Sequence, residues 1–347
     1  MNRKRLFLID AYALIFRGYY AFIKNPRINS KGLDTSAILG FTNSLFDVIK
    51  RENPDYLAVC FDKGGSQDRV EIFSEYKANR DETPEAIKIA VPFIEQILKA
   101  LNIPVIVKKG YEADDIIGTL SKKAEQEGYQ TFMVTPDKDF AQLVTENIFM
   151  YKPMFGGGYE VWGVEEVRNK FEVSDPIQVI DFLGMKGDSA DNIPGLPGVG
   201  DKTAKKFIAE YGSMEELLAN TDNLKGKLKE KIETNKELGL LSKKLATIIL
   251  DVPVDFSPNE FKFKVTDLFE VKDVFRELEF RRLIESVDRI FKINNDDEAL
   301  EIKSESTIQT PVKNAGSGQF SLFDETNTFE KPKIFKRNNL SNSSNYY

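Results

Sequence analysis

Histidine is absent from the 347 residues. That excludes imidazole general bases, Ser–His pairs and histidine-ligated metals. Cysteine occurs once, at Cys60, which excludes an internal disulfide and a thiolate zinc cluster. Long apolar runs are missing as well. Leu6–Ile9 ends at Asp10, short of the roughly 7–15 residues of a secretory core and the roughly 20 of a membrane span. No membrane partner is expected, and the cytoplasm is the expected location. The groups left for chemistry are carboxylates, Lys, Arg, Tyr, Ser and backbone, so any metal must be a hard cation on oxygen ligands. With 41% hydrophobic and 30% charged residues the chain has the composition of a globular protein. Acids outnumber bases 55 to 48, a net charge of −7, which is the wrong sign for a nucleic-acid binder.

Apolar periodicity gives the organisation. Strand-like runs at 6–10, 56–62, 103–107 and 131–135 alternate with helical patterns. One helix runs from a Ser36 cap to about Arg51, one from a Thr83 cap with Pro84 at its first position, and one from Ala113 to Gly128. This alternation predicts a mostly parallel, doubly wound α/β sheet over 1–186, with its ligand site beyond the carboxyl ends of the strands. Composition shifts near 187, and 187–287 reads as a Lys-rich helical module. Residues 288–347 are polar and read as a linker or disordered tail.

The acids are not scattered. Asp10 and Asp62 end the first two strands; Glu112, Asp114 and Asp115 open the helix after the third; Asp137 and Asp139 follow the fourth. Any one group is equally a cap or a turn residue. Seven carboxylates converging on one sheet edge would repel strongly without a counter-ion. Asp188 and Asp191, in Gly-Asp-Ser-Ala-Asp-Asn, can raise the number to nine. Without His or Cys the expected partner is Mg²⁺ or Mn²⁺. Nine acids suit two or more ions, the usual device of phosphodiester hydrolysis.

Six ordered stretches then show a resemblance. They are Ile9-Asp10 with Phe16-Arg17, Phe61-Asp62, Glu75-Tyr-Lys-Ala-Asn-Arg80, Gly110-Tyr-Glu-Ala-Asp-Asp115, Thr135-Pro-Asp-Lys-Asp139 and Gly187-Asp-Ser-Ala-Asp-Asn192. Over roughly 5–287 the chain resembles the 5′ nuclease domain of bacterial DNA polymerase I, of the flap-endonuclease family. The resemblance implies a PIN-like fold. It places Asp10, Asp62, Glu112, Asp114 and Asp115 nearer the attacking water, and Asp137, Asp139, Asp188 and Asp191 in a second cluster. It makes 63–83 an arch over the site, with Lys77 and Arg80 gripping the scissile phosphate, Arg69 on DNA, and Phe16 and Tyr76 stacking on bases; core packing is the competing role for both aromatics. Arg17 becomes a phosphate contact. Relatives often carry aromatic-Arg-His where this chain has Asp68-Arg69-Val70, a departure that weakens DNA contact on that side.

Gly195-Leu-Pro-Gly-Val-Gly200-Asp-Lys-Thr lacks the spacing of a P-loop. It resembles the hairpin of the family's helix–three-turn–helix module. Gly198 and Gly200 would bring backbone N–H groups to a DNA phosphate, Lys202, Lys205 and Lys206 would add charge, and Thr203 would bond a phosphate oxygen. The resemblance also implies K⁺ on carbonyls of 195–200. Such contacts read structure rather than sequence. In the tail, Gln319-Phe-Ser-Leu-Phe323 resembles the peptide by which bacterial replication proteins dock on the sliding clamp, with Gln319, Leu322 and Phe323 as anchors and Phe320 in place of the usual Leu.

The expected activity is therefore Mg²⁺-dependent, structure-specific 5′-3′ hydrolysis at DNA flaps, nicks and RNA primer ends by a monomer in the nucleoid. The expected chain is either a free-standing nuclease or the front part of a polymerase. Two rivals stay open: an inactive PIN-like DNA-binding scaffold, and a strand-end Asp phosphotransferase, which would need one nucleophilic Asp rather than nine acids. Excluding those nine, residues 1–287 are net basic, so the −7 misleads as a guide to partners.

Overall fold

The computed structural model describes residues 4–154, 157–265 and 267–291. Six strands form its central sheet: β1 (Arg5–Asp10), β2 (Tyr56–Phe61), β3 (Val105–Val107), β4 (Gln130–Val134), β5 (Ile148–Pro153) and β6 (Tyr159–Trp162). Their order is β3-β2-β1-β4-β5-β6, with β1 to β5 parallel and β6 antiparallel to β5. The α/β expectation holds, and the strand order reverses between β1 and β4. That reversal opens a crevice at the carboxyl ends of these two strands.

Alternation along the strands sorts the core onto two faces. Leu6, Leu8, Ala58 and Cys60 point one way, toward Ile116, Ile117 and Leu120 of α5 (Ala113–Gln126). Phe7, Ile9, Leu57, Val59 and Phe61 point the other way, onto α1 (Ala11–Phe22), α2 (Ser36–Glu52) and α4 (Glu85–Ala100). Each large apolar side chain so buried contributes about 1.5–3 kcal/mol. Strands of only three to six residues are therefore held by burial on both faces as well as by their ladders. Between α2 and α4 runs the short α3 (Gln67–Ile72). α1 and α2 cross where Gly18 meets Gly40; a Cβ on Gly40 would lie 2.3 Å from the Gly18 Cα.

The helical part follows as α6 (Val164–Phe171), α7 (Val179–Lys186), α8 (Asp201–Tyr211), α9 (Met214–Ala219), α10 (Gly226–Thr234), α11 (Lys236–Ala246), α12 (Pro258–Phe261) and α13 (Phe269–Glu277). Its apolar residues Phe182, Phe207, Met214 and Leu217 belong to the same core cluster as Leu6 and Leu8 of β1. The α/β part and the helices thus share one interior.

Several boundaries differ from expectation. Pro84, not Thr83, is the residue before α4, and no side chain caps that helix. Thr35 holds the cap position of α2, while the Ser36 hydroxyl accepts from the Arg27 N–H at 2.8 Å. The helix α1 and the strands β5 and β6 are additions to the sequence reading. Residues 319–323 lie outside the described residues. Among the described residues no helix is long and apolar enough to cross a membrane.

Candidate metal centre

The β1/β4 crevice collects the acids. Asp10 ends β1 and caps α1, accepting from the Ala13 N–H at 3.2 Å; its other oxygen accepts from the Thr135 hydroxyl, just past β4, at 3.1 Å. One bond thus spans the crevice. Asp62 follows β2 and accepts from the Gly65 N–H at 3.0 Å. Glu112 caps α5, with Asp114 and Asp115 in its first turn, and the three offer oxygens within 4.8 Å of one another. Asp137 caps the short 3₁₀ turn that carries Asp139. Asp188 and Asp191 come from a loop closed by reciprocal Asp188–Ile193 backbone bonds at 2.9 and 2.8 Å. The closure depends on Gly187 and Gly195. Both have positive φ, and a Cβ on Gly195 would stand 2.5 Å from the Gly187 nitrogen.

The acids feel one another across this space. Burial pushes the Asp10 carboxyl up to about 6, and the charges of Asp137 and Asp62 push the same way. Asp62 is raised by burial and by Glu112. Asp114 lies well above the usual carboxylate range through burial and Asp115, and Asp139 does so through burial and Asp137. Two acids run the other way. For Glu112 burial opposes, but Lys77 and Arg69 outweigh it and hold the group low. For Asp188 burial again opposes and Lys138, bonded at 2.8 Å, prevails. The fit to divalent cations has a direct sign: Asp139 Oδ1 is buried and has no hydrogen-bond donor. A concentration of oxygen ligands carrying one such orphaned atom suits hard cations. Asp10, Asp62, Glu112, Asp114 and Asp115 on one side, and Asp137, Asp139, Asp188 and Asp191 on the other, are the residues that would hold them.

Lys77 and Arg80 stand at the rim. Lys77 Nζ donates to Glu112 at 2.6 Å and lies 3.7 Å from Asp191; Arg80 is bonded to Asp191. Lys77 also has φ +57°, a left-handed backbone that costs a non-glycine residue about 1–2 kcal/mol. It is held there by its N–H on the Asp191 carbonyl, while Asn79 and Asn192 tie 75–79 to the 189–192 loop. The segment from 74 to 80 is therefore docked on the helical part instead of standing free.

Two expected DNA contacts are corrected. Arg69 is only 4% exposed and turns inward, so no face of its guanidinium is left for phosphate. Its neighbour Asp68 takes the outward position. Tyr76 is 6% exposed and its hydroxyl donates to Glu112 at 3.0 Å, which leaves no ring face for a base. Asp115 is fully buried, and both its oxygens are engaged by Arg69 and by the N–H groups of Ile249 and Glu112.

Elsewhere the expected residues sit at the surface. Phe16 is half-buried and stacks on Tyr20 at 6.3 Å; Arg17 donates to the Met154 carbonyl at 2.7 Å. In the hairpin Gly198 (φ +89°) and Gly200 are exposed, as are Lys202 and Lys206; Thr203 is half-buried, and Lys205 pairs with Glu172 and Asp201. Sequence reasoning missed Lys138, which lies between two flagged acids, and Lys231, whose Nζ would be 3.5 Å from a Cβ on Gly198.

A mostly parallel sheet that gathers carboxylates at its switch point and shares its core with a helical module is the α/β architecture of the class to which the chain belongs. The chain belongs to the 5′-3′ exonuclease family. Residues 5–172 match its "5′-3′ exonuclease, N-terminal resolvase-like domain" and 174–268 its "5′-3′ exonuclease, C-terminal SAM fold". The chain is 38% identical over 289 residues to a 5′-3′ exonuclease of Aquifex aeolicus (strain VF5), covering 83% of this chain and 97% of that one. It is also 38% identical over 289 residues to the DNA polymerase I of Bacillus caldotenax, covering 82% of this chain and 32% of the relative. The chain thus spans about a third of the length of that polymerase. Among solved structures, the T5 D15 protein co-crystallised with metal ions superposes with a TM-score of 0.60 at 21% identity, over 79% of this chain and 99% of that one. The catalytic core of Rad2 in complex with DNA substrate gives 0.55 at 18%, over 84% and 92%. At these identities the likeness is one of fold.

Proposed function

We propose that the protein is a Mg²⁺-dependent, structure-specific 5′-3′ exonuclease and flap endonuclease acting on DNA flaps, nicks and RNA primer ends. The observation that carries this reading is the set of nine carboxylates around one crevice, faced by Lys77 and Arg80. Two or more Mg²⁺, with Mn²⁺ able to substitute, would supply an activated water and charge neutralisation for the leaving oxygen. The chain's own work is positioning. Lys77 and Arg80, released from Glu112 and Asp191, would bind the phosphate oxygens on which charge develops. Phe16 and Arg17 lie beside β1 and would receive the strand that leaves the site.

Residues 187–287 act on this reading as the duplex-binding module, with exposed hairpin glycines and lysines on the backbone and K⁺ on the 195–200 carbonyls. The protein works in the cytoplasm, on the nucleoid, as a monomer, and 319–323 docks on a sliding clamp; Leu322→Ala with Phe323→Ala should then abolish clamp binding. A labelled 5′-flap substrate tests the core of the proposal. Cleavage with Mg²⁺ that EDTA stops, and that weakens steeply with salt, is expected. Binding without cleavage under every divalent ion would leave the inactive scaffold as the answer.

A further inference from the structure

Arg69 has five N–H donors, and the structure gives each an acceptor. Nη1 donates to Glu112 at 2.9 Å and Asp115 at 3.0 Å; Nη2 donates to Asp115 at 2.8 Å. The other two bonds leave the acids altogether. Nε donates to the Leu245 carbonyl at 3.2 Å and Nη2 to the Thr247 carbonyl at 2.9 Å. Leu245 is in the last turn of α11 and Thr247 is the residue just after it; the strap they begin, 245–249, is pinned at every step. Gln142 donates to the Ala246 carbonyl and accepts from the Ile248 N–H; Asp115 accepts from the Ile249 N–H. Asp115 in turn accepts from the Glu112 N–H at 3.2 Å. One planar cation thus joins the strap, through fixed geometry, to the carboxylate of Glu112.

We infer that Arg69 is the positioning residue that fixes Glu112 for divalent-metal binding, with the 245–249 strap as its anchor, so that the helical part of the chain sets the shape of the acid cluster. The inference rests on the metal reading above. It follows from shape as well as charge. Lysine would offer a point charge with three donors and could not span two carboxylates and two carbonyls at once. A group that orients a metal-binding carboxylate changes metal affinity about 10–100-fold when removed, whereas a group that only cements the fold changes stability and leaves affinity alone.

The test is Mn²⁺ titration of the full chain, read as free Mn²⁺ by electron paramagnetic resonance. Arg69→Ala and Arg69→Lys should each weaken uptake by about tenfold or more, with flap-DNA affinity unchanged in the absence of metal. A cleft of about 510 Å³ reaches Arg69 between Ile72, Lys244 and Leu245, so guanidinium at sub-denaturing concentration should restore Mn²⁺ uptake by Arg69→Ala where ammonium does not. If Arg69→Ala does not fold, Arg69→Lys, which keeps the charge, decides alone. A folded variant that binds Mn²⁺ within twofold of the parent overturns the inference, as does an Arg69→Ala defect that guanidinium leaves untouched. A parent chain that takes up no Mn²⁺ refutes the metal reading and this inference with it. A parent that binds, beside an Arg69→Lys variant that binds equally, refutes this inference only.

Discussion

Asp115 and Asp139 stand in one pool of acids but keep opposite company. Asp115 is fully buried and receives four hydrogen bonds, two of them from Arg69. Asp139 has a buried oxygen that receives none, and its charge meets those of Asp137, Asp188 and Asp191. The Glu112 side of the crevice is locked before any ligand arrives: Arg69, Tyr76 and Lys77 all donate to Glu112. On the Asp139 side backbone N–H groups within their own turns hold Asp137 and Asp188, and Lys138 and Arg80 pair with Asp188 and Asp191, but no donor reaches Asp139 Oδ1. One side supplies fixed geometry; the other stores repulsion that a cation relieves. A site built this way gains affinity from both: little reorganisation on the first side and relief of like charge on the second.

The same substitution should therefore act with opposite sign on the two sides. Asp115→Asn takes from the buried Arg69 guanidinium the carboxylate that meets it through two bonds and leaves it only Glu112, and should destabilise the protein by about 3–5 kcal/mol. Its urea midpoint tests this. A loss under about 1 kcal/mol, the scale of an exposed pair, would mean the locked side is not locked. Lys77→Met removes the donor 2.6 Å from Glu112. Single-turnover cleavage of a 5′ flap should slow about 100- to 1,000-fold, with flap-DNA affinity within about threefold of the parent. If affinity falls as far as rate, Lys77 serves binding and not the developing charge.

How much of this was legible depended on the period of the pattern. β1, β2 and β4 are apolar runs bounded by polar residues, and their terminal acids mark the crevice directly. Helix α1 was hidden because Ala11–Phe22 is apolar on nearly every side: Leu14 and Ile15 face the sheet while Tyr12, Phe16 and Tyr20 form a second, aromatic face, so no amphipathic stripe appears. Strand β6 has four residues at the sheet edge and carries too short a signal. Asp68-Arg69-Val70 shows the limit for site residues. Composition marks a charged arch, but which of two neighbouring charged residues turns inward is decided by the carbonyls of 245 and 247, some 176 residues along the chain. Tyr76 fails as a base-stacking residue for the same reason, since its partner Glu112 is distant in sequence.

On the open side, Asp139→Asn removes a charge whose neighbours oppose it, and should stabilise the metal-free protein by roughly 1 kcal/mol while weakening divalent-ion uptake. Stabilisation in EDTA that vanishes at saturating Mg²⁺ is the expected pair of results; destabilisation in EDTA would place Asp139 with Asp115 after all.

The smallest effect is a pH dependence, and its sign separates Asp10 from Glu112. Burial raises Asp10 from 3.8 to about 6, so the folded state holds this proton more tightly than the unfolded chain. The resulting stability is fully present below pH about 4 and is lost as pH rises through about 6. Glu112 is held low, against burial, by Lys77 and Arg69, so its contribution is present at higher pH and lost as pH falls. In EDTA, Asp10→Asn should therefore gain stability over the parent between pH 4 and 6, where the parent loses the Asp10 term and the amide has none to lose. Saturating divalent ion should erase that gain, because a cation replaces the proton on Asp10. Stability curves for Asp10→Asn and parent that run parallel across this window in EDTA would show that burial and the charges of Asp137 and Asp62 do not hold a proton on Asp10.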